Sequence, residues 1–284
     1  MATTLQMPVL SVLIPWCNRR EIRTTLAHNV PILHRFGAEI LIMNCGGDAE
    51  QLKILLFDSG FAGLPDIWIT DLLHPHFNRS YALNIGVHLS KSSRVFVLDA
   101  DILLNTEIVR DALEILERSA FVTVENVFES QPRDNLFGGD SSKQEPLSVV
   151  KRNFVDISLA DGTSIRICTF RRNEVDGSRA GPGLIFLRKK DLIQVEGYNG
   201  DLQYWGWEDN DLQVRLKRVL NLEHFEVGNV LHLSHGDGDR ALFGKSPEST
   251  NRSNLGVCCE RYAQGNFRGT YSRDVESWIS KRSQ

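Results

Sequence analysis

Hydrophobic and polar positions in the first 125 residues alternate between short apolar runs and longer amphipathic segments. Val9–Ile14, Glu39–Met43, Ile67–Thr70, Arg94–Leu98 and Phe121–Val124 read as strands. Segments near 20–35, 49–57, 79–90 and 106–117 have helical spacing. This alternation predicts an α/β fold: a Rossmann-like, mostly parallel central sheet flanked by helices, with ligands at the carboxyl ends of the strands. From about Ser130 to Pro146 the chain is polar and rich in Gly, Asp, Ser and Gln, which predicts a mobile loop. Strand-like pieces follow at Ser148–Ser158 and Ser164–Phe170, and Gly181-Pro-Gly precedes another at Leu184–Leu187. Asp209 to Leu220 reads as a helix with Leu212, Leu216, Val219 and Leu220 on one face. Beyond Gly236 periodicity is weak, apart from a last helix near Arg273–Ser280.

Composition narrows the function classes. The chain has 284 residues, of which 42% are hydrophobic, enough for a full core. A formal charge of −4 gives no basic field for nucleic acid, and no run of Lys and Arg suggests a polyanion groove. Five scattered cysteines form neither a disulfide framework nor a zinc set, which fits a reducing compartment. The apolar run Val9–Trp16 is too short to span a bilayer and has no basic segment before it. A cytoplasmic protein without a transmembrane segment is the expectation.

Polar residues follow several of the predicted strands. Asn18 and Arg19 come after the first, Asn44 to Asp48 after the second, and Asp99-Ala-Asp101 after Arg94–Leu98. Asp-x-Asp occurs three times, at 99–101, 209–211 and 237–239, but only the first directly follows a strand-like run. Hard oxygen ligands there suit Mg²⁺ or Mn²⁺ bridging a diphosphate; an Asp-rich turn that starts a helix is an equal reading. Leu231-His-Leu-Ser-His235 adds two imidazoles of the kind that favour Mn²⁺. On a regular strand His232 and His235 face opposite sides, so both can serve one ion only if the strand ends between them. Phe77-Asn-Arg79 opens a helix, where Arg79 could clamp a phosphate and Phe77 stack on a base; a surface Arg beside a packing Phe is the plainer alternative. Tyr198 to Leu212 concentrates Trp205, Trp207, Glu208, Asp209 and Asp211 around one helix start, either as a sugar-holding surface or as an acidic helix start beside core tryptophans.

Four blocks in order resemble glycosyltransferases of the GT-A fold. The first half resembles the family 2 enzymes, and the later region the β-1,4-galactosyltransferases of family 7. P-W-C-N-R-R-E (15–21) is similar to the galactosyltransferase P-F-R-N-R-E-E, and F-N-R-S-Y-A-L-N-I-G (77–86) to F-N-R-A-x-x-x-N-x-G. V-F-V-L-D-A-D (95–101) is similar to their D-V-D strand. W-G-W-E-D-N-D (205–211) resembles W-G-W-G-G-E-D-D-D and the W-G-G-E-N-x-E of the polypeptide N-acetylgalactosaminyltransferases, without the second glycine pair of the former. The resemblance implies a GT-A domain over 8–236, with a nucleotide-sugar half (8–125), an acceptor and metal half (148–236), and a C-terminal extension (237–284). It implies an inverting transfer of a hexose or N-acetylhexosamine from a UDP-sugar donor to a carbohydrate or glycoconjugate acceptor. Arg19, Asp48, Phe77, Arg79 and Asp99 would hold the donor. Asp101 with His235, and His232 where the animal enzymes have Met, would bind Mn²⁺ (or Mg²⁺). Asp209 would be the general base, Glu208 would contact donor or acceptor, and Trp205, Trp207, Asn210 and Asp211 would form the acceptor pocket. Two other classes compete: a non-catalytic binding module of the same fold, and a sugar-phosphate nucleotidyltransferase. The latter needs a glycine-rich phosphate loop that Val9–Asn18 does not offer.

Overall fold

In a computed structural model, which describes residues 7–58, 60–61, 63–131, 149–159, 161–235 and 245–282, the alternating pattern folds into one ten-stranded mixed sheet. The first half supplies β1 (Leu10–Trp16), α1 (Ile22–Arg35), β2 (Ala38–Asn44), α2 (Ala49–Asp58), β3 (Ile67–Asp71), α3 (Arg79–Leu89), β4 (Arg94–Val97), β5 (Ile102–Leu103), α4 (Thr106–Ile115) and β6 (Ala120–Glu129). The second half supplies β7 (Val150–Ser158), β8 (Ser164–Asn173), β9 (Arg179–Arg188), α5 (Lys189–Gln194), α6 (Glu208–Leu220), β10 (Glu223–His232), α7 (Pro247–Ala263) and α8 (Tyr271–Arg282). Every residue of β1 and β2 is buried, as expected for strands covered on both faces, whose sequences are near-continuous apolar runs.

The strand order is β3-β2-β1-β4-β9-β6-β10-β5, with the hairpin β7–β8 joined to β9. β3, β2, β1 and β4 pair in parallel, as do β6 and β10. β9 is inserted antiparallel to both β4 and β6, so β6 again points the same way as β4. The strand predicted at 184–187 is therefore an antiparallel wedge in an otherwise parallel core. The segment expected to be a mobile loop falls almost wholly on 132–148, outside the described residues, as does the Asp-x-Asp at 237–239.

Beyond the expected last helix the C-terminal part holds two helices. Ser246 caps α7 by accepting from the Ser249 amide, and Pro247 sits at its first turn. Cys258 and Tyr262 of α7 pack with Trp207, Leu202 and Val214, while Val275 and Trp278 of α8 join the core beneath α3. Among the described residues, no helix is long and apolar enough to cross a membrane.

Candidate active site

The carboxyl ends of β1, β4 and β10 meet over one cleft, a cavity of about 1740 Å³ walled by Arg19, Phe77, Arg79, Asp99, Asp101, Glu208, Asp209, His232 and His235 among others. α1 fixes the segment that carries the Asp pair. Thr25 donates to the Ala100 carbonyl at 2.8 Å, and Asn29 both donates to Ile102 and accepts from the Leu104 amide. These buried bonds hold Asp99 and Asp101 at the sheet edge. The β1 loop is pinned in turn by Trp16, whose indole donates to the Arg19 carbonyl at 2.8 Å.

Asp101, His232 and His235 offer ligand atoms within 4.8 Å of one another. β10 ends at His232, which releases the backbone before His235 and lets both rings reach Asp101 Oδ2, at 3.6 and 3.3 Å. Leu233 donates its amide to the Asp101 carbonyl at 2.8 Å, fixing the two segments together. The second nitrogen of His232 lies 2.7 Å from Glu129 on β6, so a carboxylate orients the imidazole from behind. Glu129 is a residue that sequence reasoning missed; it sits opposite His232 only through the β6–β10 register. Burial raises the Asp101 carboxyl, but the two histidines and Arg19 outweigh it and hold it well below the usual carboxylate range. One carboxylate and two imidazoles are a donor set that fits Mn²⁺.

Beside this triad, Asn78 caps α3 by accepting from the Tyr81 amide, which aims Arg79 into the cleft from the first helical position. Arg79 is buried and forked: it donates to Asp209 Oδ1 at 2.6 Å, Asp99 Oδ1 at 3.1 Å and the Gly183 carbonyl at 2.9 Å. Gly183 was another silent position. A Cβ there would lie 2.6 Å from Asp209 Oδ2 and 3.0 Å from Arg79 Nη2, so only glycine leaves room for the pair. Asp209 Oδ2 makes no hydrogen bond among the described residues. Glu208, 7% exposed, has its carboxyl pushed up to about 7, first by burial and then by the charge of Asp209, with Arg79 opposing.

The acceptor-side expectations divide. Tyr204, Gly206 and Trp207 all have positive φ (66°, 100° and 73°), a tightly wound approach to α6 that is costly for the two aromatic residues. Asn254 of α7 holds this turn, donating to the Gln203 and Gly206 carbonyls at 3.1 and 2.8 Å. Trp205, 44% exposed, and Asn210 border both the large cleft and a smaller pocket of about 460 Å³. Trp207 is 5% exposed and contributes mainly to the core. Asp211 is not at the cleft wall: its carboxylate accepts from Arg215 at 2.7 Å and from the Tyr262 hydroxyl at 2.8 Å, in a buried ion pair. The requirement to neutralise a buried carboxylate overrides its place in the acidic motif. Asp48 also stays outside the cleft wall, where it accepts from the Glu50 and Gln51 amides at the start of α2.

A sheet of this topology, with Asp-x-Asp at a strand end and an acidic helix across the cleft, is the GT-A fold of glycosyltransferases. The family model described as the N-terminal domain of galactosyltransferase matches residues 169–236, the stretch from β8 to just past His235. Among solved structures, the crystal structure of GalNAc-T7 with UDP, GalNAc and Mn²⁺ superimposes with a TM-score of 0.61 at 16% identity, over 90% of this chain and 48% of that one. This chain thus spans about half the length of that relative. S. aureus TarS 1-349 aligns with a TM-score of 0.49 at 12% identity, over 79% of this chain and 60% of that one. A comparison with curated proteins gave no match. The first of these superpositions shows the shared GT-A fold.

Proposed function

We propose that the protein transfers a hexose or N-acetylhexosamine from a UDP-sugar to an acceptor hydroxyl with inversion, using a divalent cation, Mn²⁺ or Mg²⁺. The observation that carries this reading is the meeting, in one cleft, of the Asp101–His232–His235 cluster and the Arg79-bridged pair Asp99 and Asp209. The GalNAc-T7 structure, solved with UDP and Mn²⁺, supports the same assignment of donor and metal.

A bound cation would neutralise charge on the departing diphosphate, and Asp101, His235 and His232 would hold it. Arg19 and Arg79 bring positive charge to the same end of the cleft, where phosphate oxygens would lie, and Phe77 offers a ring to the base. Asp99 positions nucleotide and sugar through its bond to Arg79. Asp209 accepts the proton of the attacking hydroxyl. Its Oδ1 is fixed by Arg79 while Oδ2 faces the space above Gly183, which gives the base one set direction. Glu208 contacts donor or acceptor; largely protonated below about pH 7, it can donate a hydrogen bond to a sugar oxygen. Trp205 supplies an apolar ring for the acceptor, and Asn210 a hydrogen-bonding amide.

Calorimetry of UDP binding tests the assignment. Mn²⁺ should tighten UDP binding to the wild type, and Asp101→Ala should abolish that enhancement, because one carboxylate carries much of the cation's charge compensation. Unchanged Mn²⁺-dependent affinity in Asp101→Ala would remove Asp101 from the metal site.

A further inference from the structure

The hairpin β7–β8 carries a charge pattern that the reaction above does not use. In a chain of net charge −4, its two strands hold Lys151, Arg152, Arg166, Arg171 and Arg172 against a single carboxylate, Asp156. The strand register sets these residues directly against one another. Lys151 lies opposite Arg172, Arg152 opposite Arg171, and Arg172 opposite Arg179 of β9. Like charges directly opposite in a sheet repel, so the pattern costs stability unless an anion offsets it. The sequence shows no such groove because the residues are spread over 151–179; the hairpin brings Lys151, Arg172 and Arg179 together on one face and Arg152 with Arg171 on the other.

Internal carboxylates account for only part of this charge. Arg179 is 3.4 Å from Glu129, Arg171 is 3.7 Å from Glu226, and Arg166 is 3.5 Å from Asp156. Among the described residues, Lys151, Arg152 and Arg172 have no carboxylate partner. The Nε atoms of Arg171 and Arg172 are also buried without a hydrogen-bond acceptor, a state that native proteins rarely leave unpaired. The cleft-lining acids of the adjoining turn are Glu174 and Asp176, and Asp176 is engaged with Asn173 and the Ser178 amide.

The cluster shares one cavity with the metal end, which Arg179 reaches through Glu129, 2.7 Å from His232. Arg152, Arg171 and Arg172 line the large cleft, whereas Lys151 stands in the wall of the smaller pocket with Trp205, Trp207 and Asn210. The basic band therefore runs from the metal end, where Arg19 and Arg79 already serve the diphosphate, to Lys151 beside the aromatic residues assigned to the acceptor. We infer that the acceptor is an anionic glycan, a saccharide bearing repeated carboxylate, sulfate or phosphate groups, which lies along the β7–β8 hairpin. This rests on the glycosyltransferase reading for the word acceptor, but binding can be measured without turnover.

The test is fluorescence anisotropy of labelled oligosaccharides. The probes are a hexasaccharide of alternating glucuronic acid and N-acetylglucosamine, its sulfated counterpart, and neutral chitohexaose, at about 20 and about 250 mM salt. At low salt one or both acidic probes should bind about tenfold or more tightly than chitohexaose, and the preference should collapse at high salt. Which acidic probe leads distinguishes carboxylate from sulfate. Arg152→Gln combined with Arg172→Gln should cut the acidic-to-neutral affinity ratio about tenfold. That ratio is insensitive to a partial loss of folded protein, and Arg152→Gln alone, at an exposed position, gives a second reading. Equal binding of chitohexaose, or a ratio untouched by either variant, overturns the inference. UDP-sugar hydrolysis is followed in parallel: hydrolysis without charge preference sinks this inference alone, and charge preference without hydrolysis sinks the transferase reading.

Discussion

Replacing Glu208 with Gln should remove a loss of stability that the wild type suffers as pH rises from about 4.5 to about 7. Glu208 is 7% exposed, and burial together with the charge of Asp209 pushes its carboxyl from the ordinary 4.5 up to about 7. The unfolded chain releases this proton near 4.5, whereas the folded chain keeps it until about 7. Between those values the native state binds more protons than the unfolded state, so stability falls as pH rises. The loss begins above the unfolded value and is complete above the folded one. At about 1.4 kcal/mol per pH unit, the whole window is worth on the order of 3 kcal/mol. Gln has nearly the same shape and does not titrate, so Glu208→Gln should match the wild type near pH 5 and exceed it by roughly that amount near pH 8. Urea denaturation followed by tryptophan fluorescence across this range measures the difference. Parallel stability curves for the two proteins would show that the buried carboxyl carries no proton of its own in this range. If Glu208 touches the sugar, the stabilised variant should also be less active, as expected where a strained site is maintained for function.

Asp209→Asn should lower kcat by about 10²–10⁴ with little change in UDP affinity, and near wild-type turnover of the folded variant would remove Asp209 as the base. Gly183→Ala should lower kcat at least about tenfold, because the added Cβ must displace the Asp209 carboxylate; a fully active, folded variant would show that the Arg79–Asp209 geometry is not required.

The residues that were legible in the sequence are those whose role follows from position on a strand or helix. Asp99 and Asp101 directly follow an apolar run, and Arg79 follows a capping Asn at a helix start. The two histidines were ambiguous until the end of β10 at His232 resolved how both rings reach Asp101. What stayed hidden depends on tertiary register. Glu129 behind His232, the Gly183 carbonyl that accepts from Arg79, and Asn254, which donates to the Gly206 carbonyl, act across separations of 103, 104 and 48 residues. Asp211 misled because its place in the acidic motif gives no sign of Arg215 one helical turn away or of Tyr262 on α7. The basic hairpin escaped notice for the same reason.

Donor turnover is the direct test of metal-dependent UDP-sugar transfer. UDP release from UDP-galactose, UDP-N-acetylgalactosamine, UDP-glucose and UDP-N-acetylglucosamine should be followed with Mn²⁺ present and with the metal chelated, in wild type and Asp101→Ala. At least one donor should be consumed, chelation should stop the reaction, and Asp101→Ala should abolish it. A folded wild-type protein that consumes none of the four, or turnover indifferent to both chelation and Asp101→Ala, would contradict metal-dependent transfer.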